Sequence, residues 1–343
     1  MCAIVLCIGP MLAIPRTAAT TFEMSITPLL PGASSWIFSI AFFLLIFLLT
    51  MRETSVVDIV GKILTPMLLV GLLVLIIVGI VHPLGDISAL AQTENVAATG
   101  IKAGYQTMDV LATMLFGVLI LSSAESKGYK EPSVKCKVAI QSGLVAGFIL
   151  LVIYGGLTYL GATVSSVYDV SAISRSALVL AIVNGLLGKA GMVIFAIVVA
   201  LACVTTAVGL VSSCSDYFSV LSKDRLSYKL LVTVICIFSA VASNVGLDQL
   251  ISIAAPVLDI VYPPALVLIG LSYCKQLPLP VYRMATLGAL IFSVVTAMSS
   301  YLGVSVPFLN MLPFSSLGFG WILPAALFAL LGLMMSRSST RKN

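Results

Sequence analysis

Residues 104–127 read GYQTMDVLATMLFGVLILSSAESK, and this stretch decides how the rest of the sequence is interpreted. The run is long and apolar enough to cross a bilayer, yet it contains the carboxylate of Asp109 and a mid-span glycine, Gly117. A carboxylate in hydrocarbon is costly and usually faces a cavity or an ion path. Glycine lets a helix unwind, which is tolerated at membrane depth where the backbone lines a cavity. The combination is typical of the broken helices that form binding sites in secondary transporters.

The composition predicts an all-α membrane protein. The 343 residues are 60% hydrophobic and 9% charged, with a mean hydropathy of +1.17, whereas a soluble domain has about 25% charged residues. A spanning helix takes roughly 20 apolar residues, which leaves room for about ten spans. We attribute the net charge of +5 to Lys and Arg at helix ends, so no nucleic-acid partner is expected. The seven cysteines form no CxxC or Cys/His cluster, so neither a zinc site nor a cofactor is predicted.

The apolar runs place ten spans along the chain, and the loop charges orient them. The spans are predicted at about 1–14, 36–49, 56–81, 107–123, 138–160, 192–211, 230–245, 250–273, 284–301 and 318–335, with a shorter surface helix at 171–187. Most Lys and Arg residues fall in alternate connections, whereas the opposite connections after the third span hold only Lys102, Arg175 and Lys189. The positive-inside rule then predicts a multi-pass protein with both termini in the cytoplasm.

Two adjacent threonines follow a possible carbonyl ligand in the sixth span. Ala202, Thr205 and Thr206 could supply three hard oxygen ligands to a small monovalent cation. The same residues have a structural interpretation, because Ser and Thr in membrane helices commonly bond the carbonyl four residues earlier or hold helices together. Spacing alone leaves both readings open.

Several charged residues fall inside predicted spans or at their ends. Arg16 and Glu23 are seven residues apart, two helical turns on one face, so they could pair or bracket a gate. Lys62 and Glu23 could instead lie near the interface, where long charged side chains reach water. Asp109 and Asp259 are candidates for coupling. Asp259 lies between Pro256 and the Pro263-Pro264 pair. These prolines predict that the span is not one straight helix.

The segment from Met114 to Gly117 is the candidate substrate site. It is either an ordinary packing face with a small residue or a break whose backbone groups bind a zwitterionic ligand, with Phe116 on the ligand's side chain. Enzyme motifs are lacking: the sequence has no HExxH, GxSxG or P-loop pattern and no acidic cluster. The chain is therefore not expected to be an enzyme, and a channel is disfavoured because no ring of like charges is visible.

Six short runs resemble the bacterial branched-chain amino acid:cation symporter family. They are GPMLAIPRTA (9–18), FE (22–23), GYQTMD (104–109) continuing to FG (116–117), TAVGL (206–210), SNVGLDQLI (243–251) and YPP (262–264). The matches keep their order and extend over essentially the whole chain. Each is weak alone, and together they are specific.

The resemblance implies a carrier of leucine, isoleucine and valine in the bacterial plasma membrane, driven by sodium or protons. That family is similar to the leucine-transporter-type superfamily, with two inverted five-helix repeats. On that scheme the span at 107–123 looks like the sixth, broken helix, and Phe116-Gly117 falls where it unwinds. The span at 192–211 looks like the eighth helix, whose part of a sodium site matches Ala202, Thr205 and Thr206.

Met1 would fall partway into the family's third helix, so we expect the fold without its first two helices. Residues 1–83 would be the remainder of the first repeat, 104–275 the second repeat, and 281–336 two C-terminal helices. The leading hypothesis is alternating-access symport of branched-chain amino acids across the lipid bilayer. The alternative is a truncated remnant that does not transport. Sodium and proton coupling, and the oligomeric state, stay open.

Overall fold

The computed structural model of the chain describes residues 5–51, 55–87, 95–169, 172–223, 225–274, 277–303 and 306–340. In these ranges the regular structure is entirely helical. The α-helices are α1 (Ala13–Thr21), α2 (Ser35–Met51), α3 (Ser55–Val81), α4 (Val96–Gln106), α5 (Asp109–Ser126), α6 (Pro132–Thr163), α7 (Arg175–Leu221), α8 (Tyr228–Ala242), α9 (Leu247–Ser272), α10 (Leu279–Leu302) and α11 (Ile322–Thr340), besides a single turn at Thr27–Leu29 and short 3-10 and π segments.

The helix lengths confirm an all-α membrane protein. Among the described residues, five helical runs are long and apolar enough to cross a bilayer: α6, α7, α8 with its extension to Val245, α9 and α10. Three shorter apolar helices lie at Ser35–Met51, Thr65–Val81 and Ile322–Ser336. The count of ten spans and the leucine-transporter-type topology stay predictions.

Helix ends differ from the predicted spans where polar residues continue a helix. α6 begins at Pro132, six residues before the predicted start of its apolar run, because proline is suited to the first helical position and the lysines that follow do not interrupt a helix. α4 lies in the connection between the predicted spans at 56–81 and 107–123. Its N-terminus is capped by Asn95, whose side chain accepts from the Ala98 amide at 3.1 Å.

α9 continues as one helix through Pro256, Pro263 and Pro264.

α7 contains the break predicted between the helix at 171–187 and the next span. Helical hydrogen bonding runs from Arg175 to Leu221, but Gly188 has φ 64° and ψ −168°, which is not a helical conformation. A residue with a side chain rarely adopts such a positive φ. The first part of α7 is capped by Ser174, which accepts from the Ala177 amide at 3.3 Å.

The chain forms two compact units. The first holds the described residues of Ala91–Ala112 and Ile251–Asn343, and the second those of Val5–Leu90 and Thr113–Leu250. In the first unit α10 and α11 pack closely, since a side chain at Gly288 would meet Phe328 and the backbone of α11. In the second, α3, α6 and α7 enclose a core built around Ile76, Leu160 and Val183. Small residues at such contacts let membrane helices approach closely.

Candidate functional site

The interruption in the stretch at 104–127 lies at Thr107 and Met108, between α4 and α5. The Thr107 amide donates to Gly104 O and the Met108 amide to Tyr105 O, both at 3.2 Å, and these three-residue bonds tighten and end α4. Met108 has φ 63° and is 4% exposed, so a buried non-glycine residue holds a left-handed conformation. α5 then begins at Asp109, with the Ala112 amide donating to Met108 O at 2.9 Å.

This geometry corrects the expected position of the break. α5 is continuous from Asp109 to Ser126, so the helix does not unwind at Phe116 or Gly117. A side chain at Gly117 would meet nothing within 4 Å, and glycine is therefore not required there by packing. Met114 is half-buried, and the side chain of Phe116 lies outside the described part of the structure. Their role in substrate binding, with that of Gly117, stays a prediction.

A stacked tyrosine pair lies beside the break, in the first unit. The rings of Tyr105 and Tyr262 are 4.4 Å apart with an interplanar angle of 13°, and Tyr262 is 1% exposed. The Asp109 carboxylate lies close enough to Tyr262 for its charge to act on the phenol. Both tyrosines belong to the family-like runs, but no periodicity in the sequence indicated that they touch.

Asp259 lines a cavity within the same unit. The cavity has a volume of about 320 Å³, and its walls include Lys102, Tyr105, Asp259, Phe292 and Trp321. The Tyr301 hydroxyl donates to Asp259 Oδ2 at 2.9 Å.

The N-terminal end of α4 is tied to the segment before α11. The Asn95 side-chain amide donates to the Ser316 carbonyl. Asn95 and Ser316 themselves line the cavity that Asp259 faces, so this bond helps to fix its outline.

The candidate sodium ligands lie together on α7, in the second unit. Thr205 Oγ1 and Thr206 Oγ1 each donate to Ala202 O at 2.9 Å. This is the back-bonding that threonine commonly makes in membrane helices. It also gathers three oxygens on one turn, with lone pairs of both hydroxyls unused by these bonds. The arrangement therefore fits the structural and the cation-binding interpretation equally.

Glu23 joins α7 to the first turn of α9, within the second unit. Its Oε1 accepts from the Leu247 amide at 2.8 Å and its Oε2 from the Ser176 hydroxyl at 2.6 Å. A carboxylate at the N-terminus of α9 complements the partial positive charge there. Next to it, Arg175 and Asp248 form an ion pair at 3.3 Å.

The other predicted charged residues have different surroundings. Arg16 lies near Cys203 of α7, close enough for its charge to act on that thiol. The two carboxylate oxygens of Glu23 accept hydrogen bonds from Ser176 and Leu247. The seven-residue spacing predicted Arg16 as the partner of Glu23 instead. A gating role for the two residues stays a prediction. The backbone of Lys62 belongs to α3, and its side chain lies outside the described part of the structure.

Comparisons with known proteins identify the family. The family model described as "Branched-chain amino acid transport protein" matches residues 1–339. The branched-chain amino acid permease BraB of Bacillus subtilis is 36% identical, with 96% of this chain and 77% of the relative covered. The branched-chain amino acid transport system 3 carrier protein of Pseudomonas aeruginosa is 36% identical, over 93% and 75%. The permease BrnQ of Escherichia coli K12 is 32% identical, over 98% and 78%. The chain therefore belongs to the branched-chain amino acid transport protein family, whose members are membrane permeases and not enzymes.

Proposed function

We propose that the chain imports leucine, isoleucine and valine across the bacterial plasma membrane by cation-coupled symport. The observation that carries the proposal is the family match over residues 1–339 together with relatives that are named as permeases and carriers of these amino acids. Helices long and apolar enough to cross a bilayer support the location in a membrane.

The break at Thr107 and Met108 supports a zwitterionic substrate. Where a helix is interrupted, its last carbonyls and the first amides of the following helix lack intrahelical partners. The amide end of α5 carries partial positive charge and favours a carboxylate, and the carbonyl end of α4 carries partial negative charge and favours an ammonium group. We propose that the substrate binds at this interruption, with the predicted Met114, Phe116 and Gly117 further along α5.

Two sets of residues could couple the substrate to a cation. Ala202, Thr205 and Thr206 offer three clustered oxygens to sodium. Asp109 and Asp259 offer carboxylates to a proton. In either case, alternating access couples the ligands only if cation and amino acid bind one conformer better together than apart.

Counterflow and uptake of labelled leucine in proteoliposomes test the transport proposal. Uptake should rise with an inward sodium gradient if the threonine pair is the coupling site, and Thr205→Ala with Thr206→Val should then abolish the sodium dependence. A proton gradient should drive uptake if an aspartate is the coupling group, and Asp109→Asn or Asp259→Asn should abolish it. Leucine counterflow without a sodium or proton gradient is the control for folded protein. Absence of counterflow and of uptake under both gradients would overturn the proposal and favour a remnant that does not transport.

The orientation can be tested with two native thiols. Cys136 and Cys274 are exposed, and each lies at a connection rich in Lys and Arg. We propose that both connections, like both termini, face the cytoplasm. An impermeant maleimide should leave the two thiols unlabelled in right-side-out vesicles and label them in inverted ones. The reverse pattern would overturn the orientation.

A further inference from the structure

The cavity bounded by α4, α9, α10 and the segment before α11 has opposite charges on its walls. Asp259 of α9 and Lys102 of α4 both line it. No ion pair within 4 Å joins these two side chains, although the Lys102 charge is close enough to act on the Asp259 carboxylate. The cavity therefore has one anionic and one cationic wall that do not neutralise each other by contact.

The rest of the lining is partly apolar and partly hydroxylic. Ile101, Pro263, Phe292 and Trp321 supply apolar surface, and serines at the end of α10 supply hydroxyls. Ligand cavities in proteins are commonly about 300–1,000 Å³ and mostly apolar, with a few polar groups that fix orientation. The volume of about 320 Å³ falls at the lower end of that range and is far larger than the space one water occupies.

In the part of the chain that the structure describes, Asp259 has one hydrogen-bond donor. The Tyr301 hydroxyl donates to Oδ2 at 2.9 Å, which leaves lone pairs of the carboxylate for a second donor. The bond from Asn95 to Ser316 joins two other residues of the lining. The Asp259 side chain is therefore positioned before any ligand arrives, and this lowers the entropic cost of ordering it on binding.

We propose that this cavity is a binding site for a free α-amino acid with an apolar side chain, with the ligand's ammonium group on Asp259 and its carboxylate on Lys102. The side chain of the ligand would lie against Phe292 and Trp321. A zwitterion satisfies both charged walls at once, which a simple amine, a simple carboxylate or a metal cation cannot do. The inference takes leucine as its probe from the proposed function, but it concerns the cavity at Asp259 and Lys102, whose lining does not include Thr107 or Met108.

The two tryptophans of the chain allow a direct test. Trp321 lines the cavity, and Trp36 lies on α2 in the other unit, so Trp36→Phe leaves one reporter at the site. Purified protein with this substitution is titrated with leucine, with isocaproate, which lacks the ammonium group, and with isoamylamine, which lacks the carboxylate. We expect a saturable change in Trp321 fluorescence with leucine and at least ten-fold weaker binding of the two analogues, because each loses a charge-assisted hydrogen bond.

Variants test whether the fluorescence response comes from leucine bound in the cavity. In the Trp36→Phe protein, Asp259→Asn or Lys102→Gln should weaken leucine binding at least ten-fold, whereas Arg283→Gln, an exposed cation of the same unit outside the cavity, should not change it. Ala98→Leu fills the cavity without removing a charge and should also abolish the response, so the test survives if a charge variant fails to fold.

Uptake measured on the same preparations separates this inference from the proposed function. Leucine transport with a silent Trp321, or a response that persists in both charge variants and in Ala98→Leu, would overturn the cavity site and leave transport standing. A specific Trp321 response without counterflow would support the cavity site and overturn transport.

Discussion

Two acids in largely apolar surroundings, Glu23 and Asp259, are placed very differently. Both oxygens of Glu23 accept short hydrogen bonds, from Ser176 and from the amide of Leu247. Among the described residues, Asp259 accepts one hydrogen bond, from Tyr301, and it lines a cavity. Glu23 therefore has the surroundings of a structural cap, and Asp259 has those of a group with remaining capacity for a ligand.

This difference gives a criterion for acids in predicted membrane helices. An ionisable residue in a membrane helix is a functional hypothesis by default. The number of its protein donors decides between the readings, because a carboxylate whose oxygens are already occupied gains little from a ligand. Removing the structural acid should cost stability, and removing the cavity acid should cost binding.

The largest expected effect on stability comes from Glu23→Ala. The substitution leaves the buried amide of Leu247 and the buried hydroxyl of Ser176 without their charged acceptor. Hydrogen bonds to charged groups contribute about 1.5–3 kcal/mol each, and both bonds to Glu23 are only partly buried, so we expect the free energy of unfolding to fall by about 3 kcal/mol, the low end of the sum. Denaturant unfolding of the purified protein in detergent measures it.

Glu23→Gln is the matched control for that prediction. The amide side chain keeps one acceptor oxygen for the Leu247 amide, so it should lose about half as much stability as Glu23→Ala. If Glu23→Ala unfolded like the wild type while transport was lost, Glu23 would be a gating group and its contrast with Asp259 would disappear.

Gly246 tests the same cap from the backbone. It has φ 97° and ψ 152°, a conformation open to glycine and strained for other residues. An added Cβ would come no closer than 4.0 Å to Glu23 Oε1, so the effect of Gly246→Ala is conformational and not steric. We expect a loss of about 1–2 kcal/mol in unfolding free energy, measured as above. A fully stable variant would show that the Leu247 amide does not depend on this turn to reach Glu23.

The positions of several helices could be predicted from the sequence, because a helix that crosses hydrocarbon must be apolar over most of its length. α2, α3 and α10 cover the predicted spans at 36–49, 56–81 and 284–301, and Gly188 separates the two helices predicted on either side of it. Helix ends were less predictable, since hydropathy reports the apolar part of a helix and not the polar turns that extend it.

The position of the break could not be predicted from the mid-span glycine. Gly117 permits unwinding, but nothing packed against it requires a break, and the helix continues. The break occurs at Met108, where the polar α4 meets the apolar α5 and an acid opens the new helix. A change of polarity followed by an acid at a helix start was the available signal. The contacts of Glu23 and the cavity around Asp259 depend on residues distant in sequence, so local patterns did not contain them.

Tyr301→Phe probes the other acid of the comparison. It removes the one donor to Asp259 that the described part of the chain provides, while keeping the aromatic ring. Tyr301 is 48% exposed, so water can replace the lost bond, and we expect the unfolding free energy to fall by less than about 1 kcal/mol. A loss as large as that of Glu23→Ala would mean that Asp259 is a structural group as well, and the cavity interpretation would lose its main distinction.

The smallest effect is expected for Asp248→Asn, which breaks the ion pair with Arg175 beside Glu23. The two side chains are 57% and 43% exposed and 3.3 Å apart, so solvent and salt screen most of their attraction. We expect a loss of about 0.5 kcal/mol in dilute buffer that vanishes in high salt, whereas the loss in Glu23→Ala should persist because its hydrogen bonds are partly buried. Unfolding at two ionic strengths measures both. A salt-independent loss of several kcal/mol in Asp248→Asn would show that the whole cluster at the start of α9, and not Glu23 alone, holds the helix in place.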